Sequence, residues 1–193
     1  MQQSSPLAPF LSAEDAVVKH PSSAALDPEA IFREHAPYVH RVIRQLGVLQ
    51  GDVDDALQDV FVIVHRKVAD FEQRGSVRAW VHGIAIRVAA RYRRRRTASR
   101  EVASGDGREA VEPRTPAEDL DERNARRVLS EILDGLDDDK RTVFVLYELE
   151  GLTMQEVAEA METPVQTAFY RLHSARELVY AAVRRHQIRE SFK

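Results

Sequence analysis

Residues 153–176 read TMQEVAEAMETPVQTAFYRLHSAR. Thr153 and Glu156 have the spacing of a capping box, in which the Thr hydroxyl takes an N3 amide proton and the Glu carboxylate reaches back to the cap. Val157, Ala158 and Met161 then trace a short helix, Glu162 and Thr163 interrupt it, and Pro164 opens a longer one with Val165, Ala168, Leu172, Ala175 and Val179 on one face. Short helix, tight turn, longer helix is the helix-turn-helix pattern. Packing that stripe inward leaves Gln166, Thr167, Tyr170, Arg171 and Ser174 outward, with Phe169 and His173 at the edges. Such a face suits a major groove, because Arg pairs with guanine edges, Gln with adenine, and Thr and Tyr hold phosphates. An ordinary helical hairpin with a solvated polar face has the same periodicity, so spacing alone leaves both readings open.

Working back from this stretch, Val143, Phe144, Leu146, Tyr147 and Leu149 predict a helix ending at Gly151, and Ala125, Val128, Leu129, Ile132 and Leu136 another before it. Residues 97–120 carry two prolines, two glycines, many charges and no apolar face, the composition of a mobile tether. Earlier, Asp27-Pro28-Glu29 is a helix start with an Asp cap, and Ile31, Phe32, His35, Val39, Val42, Ile43 and Leu46 follow at helical spacing up to Gly47. A second stripe runs through Leu57, Val60, Phe61, Val64, Val68 and Phe71. After a polar loop at residues 72–76, Val77, Val81, Ile84, Val88 and Tyr92 draw a third. The expectation is an all-α chain of two small helical domains. They are a three- or four-helix unit over 28–96 and a helix-turn-helix unit over 121–186, joined by an acidic linker at 97–120 and flanked by an extension at 1–27 and a tail at 187–193.

Composition narrows the function classes. At 193 residues, 44% hydrophobic and 31% charged, the chain has the mixture of a soluble globular protein. Without an apolar run long enough for a bilayer, or a basic start followed by an apolar block, it is expected to be cytoplasmic and not inserted in a membrane. The absence of cysteine excludes disulfides, thiolate nucleophiles and Cys-based zinc sites. The net charge of -3 conceals a segregation: Arg87, Arg91, Arg93, Arg94, Arg95, Arg96 and Arg100 stand with no carboxylate among them, and the segment from Glu101 to Glu122 is acidic. Fixed positive charge at one helix end displaces counterions from DNA, and Trp80 on the same helix suits base stacking, although an indole in so small a bundle also serves as core.

Asp52, Asp54, Asp55 and Asp59 invite a metal or hydrolase reading, but no further ligand falls at the right spacing and acids in a helix's first turn are explained by its dipole. No HExxH pattern, Ser/His/Asp context or Gly-rich phosphate loop occurs. A non-enzymatic protein without metal, cofactor or small-molecule substrate is expected. A free-standing helix-turn-helix regulator acting as a symmetric dimer is the competing class.

These segments together resemble the extracytoplasmic-function sigma factors of the bacterial sigma-70 family, over about Ile31 to Arg185. DDALQDVF at 54–61 resembles the polymerase-clamp motif, SVRAWVHGIA at 76–85 the promoter-melting segment, the following arginines the minus-10 helix, and residues 136–176 the minus-35 binding domain. The resemblance implies core RNA polymerase, promoter DNA and an anti-sigma factor as partners, with initiation driven by binding energy and no nucleotide hydrolysis. It assigns Asp55, Gln58, Asp59 and Phe61 to polymerase. Phe71, Arg74, Ser76, Arg78 and Trp80 would hold a base flipped from the non-template minus-10 strand, with Arg87, Arg91, Arg93, Arg94 and Arg95 on its backbone. Gln166, Thr167, Phe169, Tyr170, Arg171, His173 and Ser174 would read the minus-35 duplex.

Departures from the family pattern carry expectations too. Ile86-Arg87 stands where Arg-Asn is common, and Trp80-Val81 where housekeeping relatives have two tryptophans, which implies weaker melting and a stricter promoter requirement. Gln166, Phe169, Tyr170 and Ser174 replace a commoner Gly, a basic residue, Ser and a second basic residue, implying a shallower salt dependence and a different minus-35 sequence. Glu162 replaces the turn glycine, implying an altered turn.

Overall fold

The computed structural model describes residues 26–71, 75–102 and 120–191. Residues 1–25 of the expected extension at 1–27, Arg74, and most of the expected linker lie outside them. The described residues form helices without strands: α1 (Pro28–Gln45), α2 (Val53–Lys67), α3 (Val77–Val102), α4 (Leu120–Asp134), α5 (Asp138–Phe144), α6 (Met154–Ala160) and α7 (Val165–Ser191). Single 3-10 turns at Gln50–Asp52 and Val68–Asp70 flank α2, and a π-helical turn, Val145–Leu149, continues α5.

The local signals act as their chemistry requires. The Asp27 carboxylate accepts from the amides of Glu29 and Ala30 at 3.0 and 3.3 Å, starting α1. Thr153 and Glu156 close the capping box of α6, with Glu156 N to Thr153 Oγ1 at 3.3 Å and Thr153 N to Glu156 Oε2 at 2.9 Å. Thr153→Ala is expected to destabilise the chain by about 1 kcal/mol in urea unfolding; an unchanged midpoint would show that the Glu156 half of the box suffices.

Helices α1, α2 and α3 pack on one another through Val39, Val42, Ile43, Val53, Val60, Val64, Ile84 and Val88, all essentially excluded from water. Helices α5, α6 and α7 do the same through Val143, Leu146, Val157, Ala168, Leu172 and Ala175, with α4 laid against α7. The two expected domains are also in direct contact. Helix α3 packs directly on α6, and the buried apolar side chains form one continuous cluster. Gly83 permits it: a Cβ there would lie 3.0 Å from the carbonyl oxygen of Ala160, so the two backbones touch where a side chain would hold them apart.

Two expected boundaries move. Helix α3 runs past Arg96 to Val102, because nothing from Thr97 onward breaks a helix before Gly105. Likewise α7 runs past His186 to Ser191. At the turn between α6 and α7, Glu162 adopts φ 51°, so the left-handed geometry that a glycine takes freely is kept by a residue for which it is strained. Glu162 bears that strain.

Candidate nucleic-acid interface

On α2, Asp55 and Gln58 point to solvent in the helix's first turns, where the amide ends favour carboxylates. Phe61, half-buried, meets Phe32 of α1 edge to face with ring centroids 4.8 Å apart; Phe32 is 46% exposed and neighbouring Val62 40%. An acidic start followed by an apolar ridge is thus presented on one side of the molecule. Asp59, its side chain 42% exposed, is also engaged within the fold. Its carboxylate takes Arg91 of α3 at 2.5 Å and the Tyr92 hydroxyl at 2.9 Å, tying α2 to α3. Desolvation and the hydrogen bond to Asp59 both push the Tyr92 phenol above its ordinary pKa, keeping it a donor.

At the start of α3, Phe71 and Trp80 lie with ring centroids 4.9 Å apart and planes tilted by 44°, forming an aromatic corner. Trp80 is half-buried, so it serves the core and leaves one edge available. The neighbouring polar groups are engaged by the helix-turn-helix. Ser76 donates its hydroxyl to Glu156 at 2.9 Å and its amide to Glu159 at 3.4 Å, and Arg78 donates to the Glu150 carbonyl. Further along α3, Arg87 pairs with Glu162 at 2.5 Å, and Arg93 pairs with Asp138 while donating to the Leu46 carbonyl at 2.9 Å. Arg94 and Arg95 extend into solvent, Arg95 over the Tyr92 ring at 5.8 Å.

Two buried polar ties join the two halves, and two histidines are buried in the first, none of them singled out as functional in the sequence. Glu150 is buried, its side chain 1% exposed, and receives both arms of Arg41 from α1 at 3.2 and 2.9 Å. Arg141 is buried against the Leu133 carbonyl, the Asp134 carboxylate and the Leu46 carbonyl at 2.9, 2.8 and 3.3 Å. His82 has no exposed surface, and desolvation pushes its pKa down to about 4, against a weaker raising effect of the Arg78 carbonyl. That carbonyl lies 2.7 Å from Nδ1, which must therefore carry the proton, leaving Nε2 bare and unpartnered. His35 is likewise lowered by burial. The one cue for these groups is their place inside apolar runs, as with RTVFVL at 141–146 and VHGIA at 81–85.

On α7, Gln166, Phe169, Tyr170 and His173 project into solvent, with Phe169 52% and Tyr170 76% exposed. Thr167, Arg171 and Ser174 are half-buried beside them. Arg171 is held by Asp139 of α5 at 2.6 Å. Among the described residues no cluster of His, Asp and Glu is placed to hold a metal, and no helix is long and apolar enough to cross a membrane.

Comparison with known proteins agrees with this geometry. Residues 31–99 match the family model for Sigma-70 region 2, and residues 126–179 that for Sigma-70, region 4. The chain is 27% identical over 141 residues to the ECF RNA polymerase sigma-E factor of Haemophilus influenzae, spanning 68% of this chain and 75% of that one. It is 28% identical over 153 residues to the sigma-E factor of Escherichia coli K12, spanning 74% and 80%. Among solved structures, CnrH in complex with the cytosolic domain of CnrY superposes with a TM-score of 0.60 at 25% identity, over 81% of this chain and 86% of that one. The Bartonella quintana sigma factor RpoE, in complex with the anti-sigma factor NepR, shares the fold with a TM-score of 0.67 at 18% identity, over 81% and 96%.

Proposed function

This chain belongs to the extracytoplasmic-function sigma factors of the sigma-70 family, subunits that direct RNA polymerase to promoters, and we propose that it divides the task among three surfaces. Asp55, Gln58 and Phe61, backed by Phe32, dock on core polymerase. The Phe71–Trp80 corner, with Arg74, Ser76 and Arg78, receives a base extruded from the non-template minus-10 strand, while Arg87, Arg91, Arg93, Arg94 and Arg95 follow its backbone. The exposed face of α7 reads the minus-35 duplex through Gln166, Thr167, Phe169, Tyr170, Arg171, His173 and Ser174. Asp59 acts as a positioning residue that holds Arg91 and Tyr92.

The observation that supports this reading best is the outward face of α7. Phe169 and Tyr170 stand exposed on the second helix of a helix-turn-helix, where they contribute nothing to the core. Exposed aromatics flanked by Gln166 and Arg171 suit a groove with bases and phosphates. The Arg171–Asp139 pair supplies pre-organisation. Arg171→Ala is expected to weaken use of the preferred upstream element by about 1–3 kcal/mol. An equal loss on every upstream sequence would make Arg171 a phosphate contact.

The reading places the chain in the cytoplasm, where polymerase and DNA are. An anti-sigma factor is the expected regulator, since CnrH and the Bartonella RpoE are both solved with such a partner or its cytosolic domain. Gel filtration with purified core polymerase tests the first step. A 1:1 complex is expected, and elution apart from polymerase would overturn the docking assignment.

A further inference from the structure

We propose that the cleft between the end of α3 and the α4–α5 turn is a binding site for a compact oligophosphate, a ligand of a few linked phosphoryl groups. The cleft has a volume of about 560 Å³, with Arg93, Arg94 and Arg96 of α3 on one side and Asp134, Asp138 and Arg141 on the other. That volume lies in the range of small-ligand pockets and exceeds what a single phosphate fills. No aromatic ring lines it, so it offers a base no stacking platform, and its recognition chemistry is charge and N–H donors.

The inner cations are built into place. The Arg141 side chain is 7% exposed and donates to the Leu133 carbonyl, the Asp134 carboxylate and the Leu46 carbonyl. Arg93, its side chain 18% exposed, donates to the same Leu46 carbonyl and pairs with Asp138. Two guanidinium groups therefore converge on one carbonyl at the end of α1. Gly47 makes room for them: it adopts φ 87°, and a Cβ there would collide with the Arg141 guanidinium. Burial, ahead of any neighbour, holds Arg93 below its ordinary pKa, and Arg141 and Arg94 press the same way against Asp138. A polyvalent anion seated among these groups relieves that like-charge crowding.

The charge of the lining does not close. Asp138 answers Arg93 and Asp134 answers Arg141, which leaves Arg94 and Arg96 as the surplus. The carboxylates are also the loose members, with side chains 73% and 64% exposed, so they can turn to solvent when a phosphoryl group takes their place beside the fixed arginines. Arg96 thereby gains a role, since it is the one arginine between Arg91 and Arg96 that is assigned to no promoter contact. The site itself does not depend on the assignment of α3 to minus-10 DNA. Its consequence does: Arg93 and Arg94 serve both ligands under that reading, so a bound oligophosphate excludes the strand from them.

Calorimetric titration of the full chain with tripolyphosphate at physiological ionic strength tests the site. One-to-one binding is expected, about ten-fold tighter than that of sulfate at matched ionic strength. Arg96→Ala and Ala98→Glu, both at exposed positions lining the cleft, should each weaken it about ten-fold, whereas Arg95→Ala, next along the helix but outside the cleft, should leave it unchanged. Equal losses in Arg95→Ala and Arg96→Ala, or binding no tighter than that of sulfate, would overturn the site and leave a diffuse attraction of polyanions to the arginine run. Magnesium-free ATP as a second titrant separates the sources, and either result upholds the site: affinity equal to that of tripolyphosphate supports the phosphates of a nucleotide, and weaker affinity a free oligophosphate. Tripolyphosphate is further expected to displace labelled oligo(dT). One-to-one binding that leaves the affinity for oligo(dT) unchanged would uphold the cleft and overturn the assignment of Arg93 and Arg94 to the strand.

Discussion

Asp55→Arg is expected to weaken association with core polymerase roughly 100-fold, about 3 kcal/mol, while leaving the fold intact. Asp55 is exposed on the first turn of α2 and has no role in the core, so removing it costs the isolated chain at most the favourable placement of an acid near the helix start, about 0.5 kcal/mol. At an interface the same change replaces attraction by repulsion and buries the wrong charge. Asp59 is the informative contrast. Its carboxylate already takes Arg91 and Tyr92, so Asp59→Asn should loosen α3 against α2 and lower the unfolding midpoint, with a smaller effect on polymerase affinity. Competition binding with labelled parent chain separates the two. Parent-like affinity of Asp55→Arg would remove α2 from the polymerase interface.

The second large effect is a pH dependence set by His82. Its ring is fully buried, and desolvation pushes the folded-state pKa down to about 4, whereas the unfolded chain has the ordinary value of 6.5. Below pH 6.5 the unfolded state binds a proton that the folded state refuses, so stability must fall as pH falls, and the loss is complete only near the folded pKa. Across that window the histidine alone is expected to remove about 3 kcal/mol. Carboxylates titrate over the lower part of the same range, so the test compares the parent with His82→Gln, which has no imidazole to charge. Urea unfolding at pH 7 and pH 4 should show a larger loss for the parent by about that amount. Equal losses would place the ring in contact with water.

How much of this was legible in the sequence depends on how local each interaction is. The stripes from Ile31 to Leu46 and from Val165 to Val179, the Asp27 cap and the Thr153–Glu156 box are set by residues within a turn or two of one another, and these elements formed as read. The exposed face of α7 followed, because the buried stripe fixes its opposite side. Contacts between α3 and α6 left no such trace. Glu150, Arg41 and Glu162 look like solvent charges in a linear sequence, and each acquires its partner from a segment dozens of positions away. Gly83 reads as an ordinary weak helix residue until Ala160 is seated against it. Likeness to the clamp motif makes Asp59 an expected polymerase contact, but its tie to Tyr92 depends on the packing of α2 on α3, which periodicity does not specify. The extension of α3 past Arg96 left no signal, because TASREV at 97–102 carries no apolar stripe although none of its residues breaks a helix.

Transcription in vitro with purified core polymerase and a library of genomic fragments tests the central claim most directly. Adding the chain is expected to create a small set of discrete start sites sharing two upstream elements, in the absence of any other sigma factor and without a nucleotide requirement for strand opening. Start sites identical to those of core polymerase alone would contradict the account.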